Sequence, residues 1–313
     1  MEPHAARFRA DLEGLTGGSP GRLALAVSGG PDSLALLLLG HAAFPGQVRA
    51  ATVDHGLRAE AADEAAFVAD VCARLGIPHT TLAAKMTQSV NIQAGARTQR
   101  YALLGEWARS VGADWLATAH HLDDQAETLL MRLLRGSGVA GLAGIRPVHG
   151  ADPPIVRPLL AWRRDELAAL VAAAGIAPVD DPSNADTRFD RVRIRAHLAA
   201  NPWLDPVPLA RSAAALAEAE AALAWATDHA WRDHVDGEAL DPAGLPAEIR
   251  RRLVVRLLAQ FGGPAARGEE IGRLLTTLEG GGTATLAGVK CVGGPVWRFA
   301  PAPPRGAEAA ARL

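Results

Sequence analysis

Leu23-Ala24-Leu25-Ala26-Val27-Ser28-Gly29-Gly30-Pro31-Asp32-Ser33 is the stretch from which the fold can be read. Its first five residues are a short apolar run, the pattern of a strand covered on both faces. The next six form a turn, and a helix pattern follows over residues 33–43. Glycines let the backbone approach a ligand closely. Serine hydroxyls and the unpaired N–H groups of a helix start make an anion site. Proline in the first helical turn loses no hydrogen bond there and presets the dihedral. Strand, Ser–Gly turn and helix in this order therefore suit phosphate oxygens. The turn is not GxxxxGK[ST], for it has no lysine, nor is it a GxGxxG dinucleotide turn. Asp32 would be repelled by a polyphosphate unless a cation lay between them. Mg²⁺ is the usual mediator, binding one or two carboxylates plus phosphate oxygens, so Asp32 is the candidate metal ligand.

Outward from this turn, strand and helix patterns alternate. Residues 48–53, 77–82 and 114–119 read as strands. Residues 61–75, 91–111 and 123–134 read as helices that end at Gly76, Gly112 and Gly136. The expected fold class is α/β, a doubly wound parallel sheet, with a C-terminal mainly helical domain ending in short strands. Residues 136–150 are glycine-rich with few apolar anchors and read as a mobile loop. A helix over 163–174 and an arginine stretch (Arg188, Arg191, Arg193, Arg195) follow. Asn201-Pro202, Pro206 and Pro208 punctuate the chain, which sets expected domains at 1–204 and 205–313. The second contains helix patterns over 209–230, 247–260 and 269–278 and β-like runs at 283–286, 289–292 and 296–299.

The 313 residues are 49% hydrophobic and 21% charged, a balance that excludes wholesale disorder. Apolar runs such as residues 34–39 fall far short of the roughly 20 that a membrane span needs. The N-terminal residues lack the apolar core of a secretory signal. Two distant cysteines, Cys72 and Cys291, form neither a disulfide framework nor a CxxC pair. A cytoplasmic location fits. The net charge of −2 argues against a uniformly basic nucleic-acid binder. The charge is segregated, however: residues 131–200 hold ten Arg against seven Asp plus Glu. Arg250-Arg251-Arg252, Arg256, Arg267 and Arg273 form a second cluster, and lysine is confined to Lys85 and Lys290. Forked guanidinium groups suit phosphate, and genomic composition also explains the arginine bias.

Ser28-Gly29-Gly30-Pro31-Asp32-Ser33 after the first strand resembles the signature of the PP-loop, or N-type, ATP pyrophosphatases. Further strings narrow the resemblance. These are Val53-Asp54-His55-Gly56-Leu57-Arg58, Arg97 with Arg100-Tyr101, Ala117-Thr118-Ala119-His120-His121-Leu122-Asp123-Asp124-Gln125-Ala126-Glu127-Thr128, Arg132, Arg135-Gly136-Ser137-Gly138, Arg157-Pro158-Leu159-Leu160 and Asp181-Pro182-Ser183-Asn184. In that order, across about residues 20–200, they resemble the tRNA(Ile)-lysidine synthases. The last hundred residues resemble that family more loosely. Arg191-Val192 departs from it, since the family commonly has Arg-Asn there.

The resemblance implies ATP as substrate with Mg²⁺, free L-lysine, and tRNA(Ile) with a CAU anticodon. ATP adenylates the C2 oxygen of the wobble cytidine, and the lysine ε-amine then displaces AMP. It implies nucleotide binding by Ser28, Gly29, Gly30, Pro31, Asp32, Ser33, Val53 and Arg195. A lysine substrate needs acidic partners. Asp124 and Glu127 stand three apart, hence on one helix face, after His120-His121 at a strand's C-terminal end. The implied catalytic set is Asp32, Asp124, Glu127, Arg100 and His121. Asp124 or a histidine would take the proton of the amine, and Asp123 would cap the helix. Loop 136–144 would admit the flipped cytidine. A homodimer stays open. A tRNA thiolase of the same superfamily is disfavoured by the lack of paired cysteines. A non-catalytic nucleotide sensor is disfavoured by the acidic set.

Overall fold

The computed structural model describes residues 1–54, 60–84, 92–179, 186 and 188–303, with only the backbone for 60, 61 and 92–97. His55, Gly56, Leu57, Arg58 and Asp181 to Asn184 lie outside the described residues, as does the side chain of Arg97. The chain forms two compact units, Met1–Ala217 and Glu218–Leu313. The division falls inside one long helix and not at the expected 204/205.

The first unit runs α1 (Glu2–Thr16), β1 (Leu23–Ala26), α2 (Pro31–Ala43), β2 (Val48–Asp54), α3 (Glu60–Leu75), β3 (His79–Ala83), α4 (Ile92–Ser110), β4 (Trp115–Ala117), α5 (Leu122–Leu134), α6 (Val139–Leu142), β5 (Val148–His149), β6 (Ile155–Val156), α7 (Arg164–Ala173), α8 (Asp190–Ala200) and the start of α9 (Pro206–His234). Its sheet has the order β3-β2-β1-β4-β6-β5. All pairings are parallel except the edge pair β5–β6.

The two-residue period of the strands divides the core. Leu23, Leu25, Val48, Ala50 and Ala117 pack with Phe8, Leu12, the leucines of α2, Val68 and Val71 of α3, and Leu167 and Val171 of α7. The alternate residues Ala24, Ala51, Leu116 and Ile155 pack with Leu104, Trp107 and Ala108 of α4. Both faces are covered, so the strands carry apolar residues throughout. Helix α2 is buried almost all round because α1, α7 and the sheet enclose it. The amphipathic rule for surface helices therefore does not apply to it.

In the second unit, β7 (Val235–Asp236), β8 (Ala239–Leu240), β9 (Thr283–Leu286), β10 (Val289–Val292) and β11 (Trp297–Pro301) form an antiparallel sheet of order β7-β8-β11-β10-β9. Its core combines Trp297, Phe299 and Cys291 with Leu253, Leu257, Leu274 and Leu278 of α10 (Ala247–Gln260) and α11 (Gly268–Glu279). Among the described residues no helix is long and apolar enough to cross a membrane.

Candidate active site

β1 has β2 on one side and β4 on the other, so the chain reverses its direction of travel across the sheet at β1. The loops leaving β1 and β4 part at this point, which is where open parallel sheets form a ligand crevice. Residues 27–30 and 118–121 are those two loops.

The first loop is held from within. The Ser28 N–H donates to Ser33 Oγ at 3.1 Å, and Ser33 Oγ–H donates to the Gly30 carbonyl at 2.9 Å. Gly29 has φ +87°, a left-handed conformation that a side chain strains. A Cβ there would also meet Val179 Cγ2 at 3.2 Å. Gly30 is the N-cap of α2 and Pro31 its first residue. The first α-helical bond runs from the Leu34 N–H to Gly30 O at 3.0 Å. The Asp32 and Ser33 N–H groups precede that bond and remain open to an acceptor. Among the described residues no side chain caps this end.

Asp32 Oδ1 is buried without a hydrogen-bond partner. Such an oxygen is costly unless a cation or donor joins it. Asp32 Oδ2 lies 3.4 Å from His121 Nε2, and Asp124 Oδ2 lies 3.6 Å from the same nitrogen. Two carboxylates beside the Ser28–Ser33 turn are a donor set that would suit Mg²⁺, an ion that commonly binds one or two carboxylates together with phosphate oxygens and water.

His121 is almost fully buried and is the N-cap of α5, with its N–H bonded to Asp124 Oδ2 at 3.1 Å. Burial alone would lower its pKa, but the hydrogen bond it donates to Asp32 and the charges of Asp124 and Asp32 outweigh burial and push it up. Asp123 is not the cap expected for α5, because the helix begins at Leu122 and the extended His121, two residues before Asp123, caps it. Its carboxylate instead accepts the Arg164 N–H at 2.8 Å, at the start of α7. His120 Nδ1 meets Thr118 Oγ1 at 3.0 Å.

Glu127, 1% exposed, is enclosed by three guanidinium groups. Arg164 Nη2 and Arg195 Nε each donate to Oε1 at 2.9 Å. Arg195 Nη2 donates to Oε2 at 3.4 Å, and Arg191 Nε lies 3.4 Å from Oε2. The side chain that helix-face spacing offered to lysine's ammonium is thus bonded to arginines. Asp124 and Glu127 share a face, yet one belongs to the histidine and the other to the guanidinium groups. Arg164 has no counterpart in the sequence reading of the site. Its signal there was only a pair of arginines opening a helix.

The 136–150 segment is pinned rather than mobile. Gln125 donates to Ile145 O at 2.8 Å and accepts the Ile145 N–H at 2.7 Å. Arg132 donates to the carbonyls of Gly141 (2.5 Å) and Gly144 (3.0 Å). Side-chain bonds to backbone replace the apolar anchors that the segment lacks.

Val53, at the C-terminal end of β2, packs toward α4. Arg100 lies on α4 with its guanidinium 5.5 Å from the Tyr101 ring centre. Among the described residues it makes no ion pair with Asp32, Asp124 or Glu127. In the second unit Arg250, Arg251, Arg252 and Arg256 are each paired, with Glu279, Glu248, Glu220 and Asp228 at 3.0, 2.6, 2.5 and 2.7 Å. These four arginines of the second cluster are thus each matched by a carboxylate of the same unit.

A Ser–Gly turn with open N–H groups at the switch point of a doubly wound sheet, with an acidic pair beside it, is the arrangement of a PP-loop domain. A family model described as a PP-loop domain matches residues 5–201. Over 308 residues the chain is 50% identical to the tRNA(Ile)-lysidine synthase of Novosphingobium aromaticivorans, covering 96% of this chain and 94% of that one. With its counterpart in Zymomonas mobilis the identity is 45% over 317 residues, covering 97% and 95%. The chain belongs to the tRNA(Ile)-lysidine synthase family of ATP-dependent ligases. A solved structure of the U34-tRNA thiolase NcsA from Methanococcus maripaludis shares the fold, with TM-score 0.57 and 19% identity over 69% of this chain and 80% of that one.

Proposed function

We propose that this chain joins free L-lysine to C2 of the wobble cytidine in the CAU anticodon of tRNA(Ile), in the cytoplasm. The product is lysidine, with AMP and pyrophosphate released, and codon reading changes from AUG to AUA. The observation that carries this reading is the open first turn of α2 beside the unpartnered Asp32 Oδ1, in a chain of this family.

The turn from Ser28 to Ser33 binds the two outer phosphates of ATP through its open N–H groups and the helix dipole. The C2 oxygen of the cytidine attacks the α-phosphorus and pyrophosphate leaves. The lysine amine then bonds to C2 and the C2–O bond breaks, releasing AMP. Asp32, with Asp124 beside it, would hold Mg²⁺, which supplies charge neutralisation on the phosphates when bound. The ε-ammonium must lose a proton before it attacks. His121 and Asp124 are the neighbouring groups able to accept one, and burial of the histidine ring keeps water away from the exchange. Glu127 acts by orienting Arg191 and Arg195, which stabilise the phosphate charge that develops. Arg100 approaches the same nucleotide from α4. The pinned loop 136–145 forms a wall for the extruded base.

The test is incubation of the protein with unmodified tRNA(Ile), ATP and labelled lysine. One lysine per tRNA, dependent on the CAU anticodon, is expected. Unlabelled tRNA, or sulfur in place of lysine when a sulfur donor is supplied, overturns the proposal.

A further inference from the structure

We propose that Arg164 is a nucleotide-phosphate ligand, held ready by Glu127. The inference rests on the ATP-dependent reading above and deepens it.

The backbone at Arg164 is fixed from two sides. Asp123 accepts its N–H at 2.8 Å. Two residues earlier, the fully buried Trp162 donates its Nε1–H to Asp11 at 2.8 Å, with the Arg7 guanidinium 3.9 Å from the centre of its ring. Helix α1 therefore anchors the segment that presents Arg164. Of the guanidinium's nitrogens, Nη2 bonds Glu127 at 2.9 Å. Nε and Nη1 have no hydrogen-bond partner among the described residues, and the side chain is 27% exposed. An arginine held by one nitrogen, with the others open to solvent, is preorganised for a planar anion.

The charge count points the same way. Arg195 alone reaches both oxygens of Glu127, at 2.9 and 3.4 Å, so the single carboxylate already has a forked partner. Arg191 and Arg164 add two guanidinium groups beyond the one that this carboxylate needs. Burial would lower the Arg164 pKa, and the bond and charge of Glu127 together with the charges of Asp32 and Asp124 raise it. Asp123 Oδ2, which accepts the Arg164 N–H, lies 3.7 Å from His121 Nδ1, and His121 Nε2 lies 3.4 Å from Asp32, so one carboxylate and one ring join Arg164 to the Ser28–Ser33 turn. With Mg²⁺ balancing Asp32 and Asp124, the phosphates of ATP are the anion for the remaining guanidinium charge.

The experiment titrates the full chain with α,β-methylene-ATP and Mg²⁺, then measures lysidine formation with varied ATP and varied tRNA. Wild type, Arg164→Gln and Arg164→Lys are compared, with the thermal midpoint of each. We expect Arg164→Gln to bind the analogue about tenfold more weakly, and to lose about 100-fold in kcat/KM for ATP. KM for tRNA should stay close to wild type, the thermal midpoint should fall by only a few degrees as one bond to Glu127 is lost, and Arg164→Lys should fall between the two. A folded Arg164→Gln variant with wild-type affinity and turnover overturns the assignment, and so does a loss confined to KM for tRNA. If Arg164→Gln does not fold, Arg164→Lys decides: full affinity and turnover there overturn it, since an ammonium cannot supply the planar fork. A wild-type chain that does not bind the analogue removes the ATP reading itself and this proposal with it.

Discussion

Replacing Glu127 by glutamine keeps the volume of the side chain and removes its charge. The carboxylate is 1% exposed, and two of its four arginine contacts are at 2.9 Å. A charge-assisted hydrogen bond contributes about 1.5–3 kcal/mol net. The side chains of Arg164, Arg191 and Arg195 are 27%, 37% and 32% exposed, so water recovers part of that loss when the charge goes. The amide oxygen also keeps one acceptor. The net cost is therefore about 2–3 kcal/mol, below the ~3–5 expected when one partner of a fully buried pair is removed. For a unit of this size each kcal/mol lowers the midpoint by about 2–4 °C, giving a shift of about 4–12 °C. Scanning calorimetry reads that shift. Lysidine formation should fall about 100-fold as the three guanidinium groups lose their common anchor, with tRNA affinity changed far less. A Glu127→Gln protein with the wild-type midpoint and turnover would refute the idea that this carboxylate organises the arginines.

Three further outcomes follow from the geometry. Gly29→Ala places a Cβ at φ +87° and 3.2 Å from Val179, so it should destabilise the first unit by about 1–3 kcal/mol and weaken ATP binding; denaturant unfolding and nucleotide titration check both. Asp32→Asn should abolish AMP formation while the midpoint stays within a few degrees, because Oδ1 makes no hydrogen bond and the amide oxygen can still accept from His121; retained AMP release in the folded variant contradicts the role given to Asp32. Burial pushes the Cys72 and Cys291 thiols up to about 11, so the thiolate is scarce near neutral pH. A thiol reagent should then label both only after unfolding, whereas rapid labelling of the native chain at pH 8 would disagree.

What could be read before the structure was local. The apolar run, the Ser28–Ser33 turn and the helix after it lie next to one another in the chain, and their order dictates the sheet edge at which they meet. Pairings across the chain were not legible in the same way. Glu127 meets Arg164 and Arg195, 37 and 68 residues away, and no periodicity links them. The i, i+3 spacing of Asp124 and Glu127 correctly puts both on one face, but it cannot assign them different partners. The 136–150 segment reads as mobile because hydrophobic patterning sees only apolar anchors, while Gln125 and Arg132 hold it through backbone carbonyls. Helix α1 shows the opposite case. Ala5, Phe8 and Leu12 are spaced for one buried face, but polar neighbours diluted the pattern.

Cleavage of ATP between its α- and β-phosphates is the central claim, and the fate of the γ-phosphate tests it most directly. With tRNA(Ile), lysine and ATP labelled at the γ-position, the account predicts that the label leaves as pyrophosphate, in equal amount to AMP and lysidine. Label released as inorganic phosphate, with ADP as the remaining nucleotide, would contradict it.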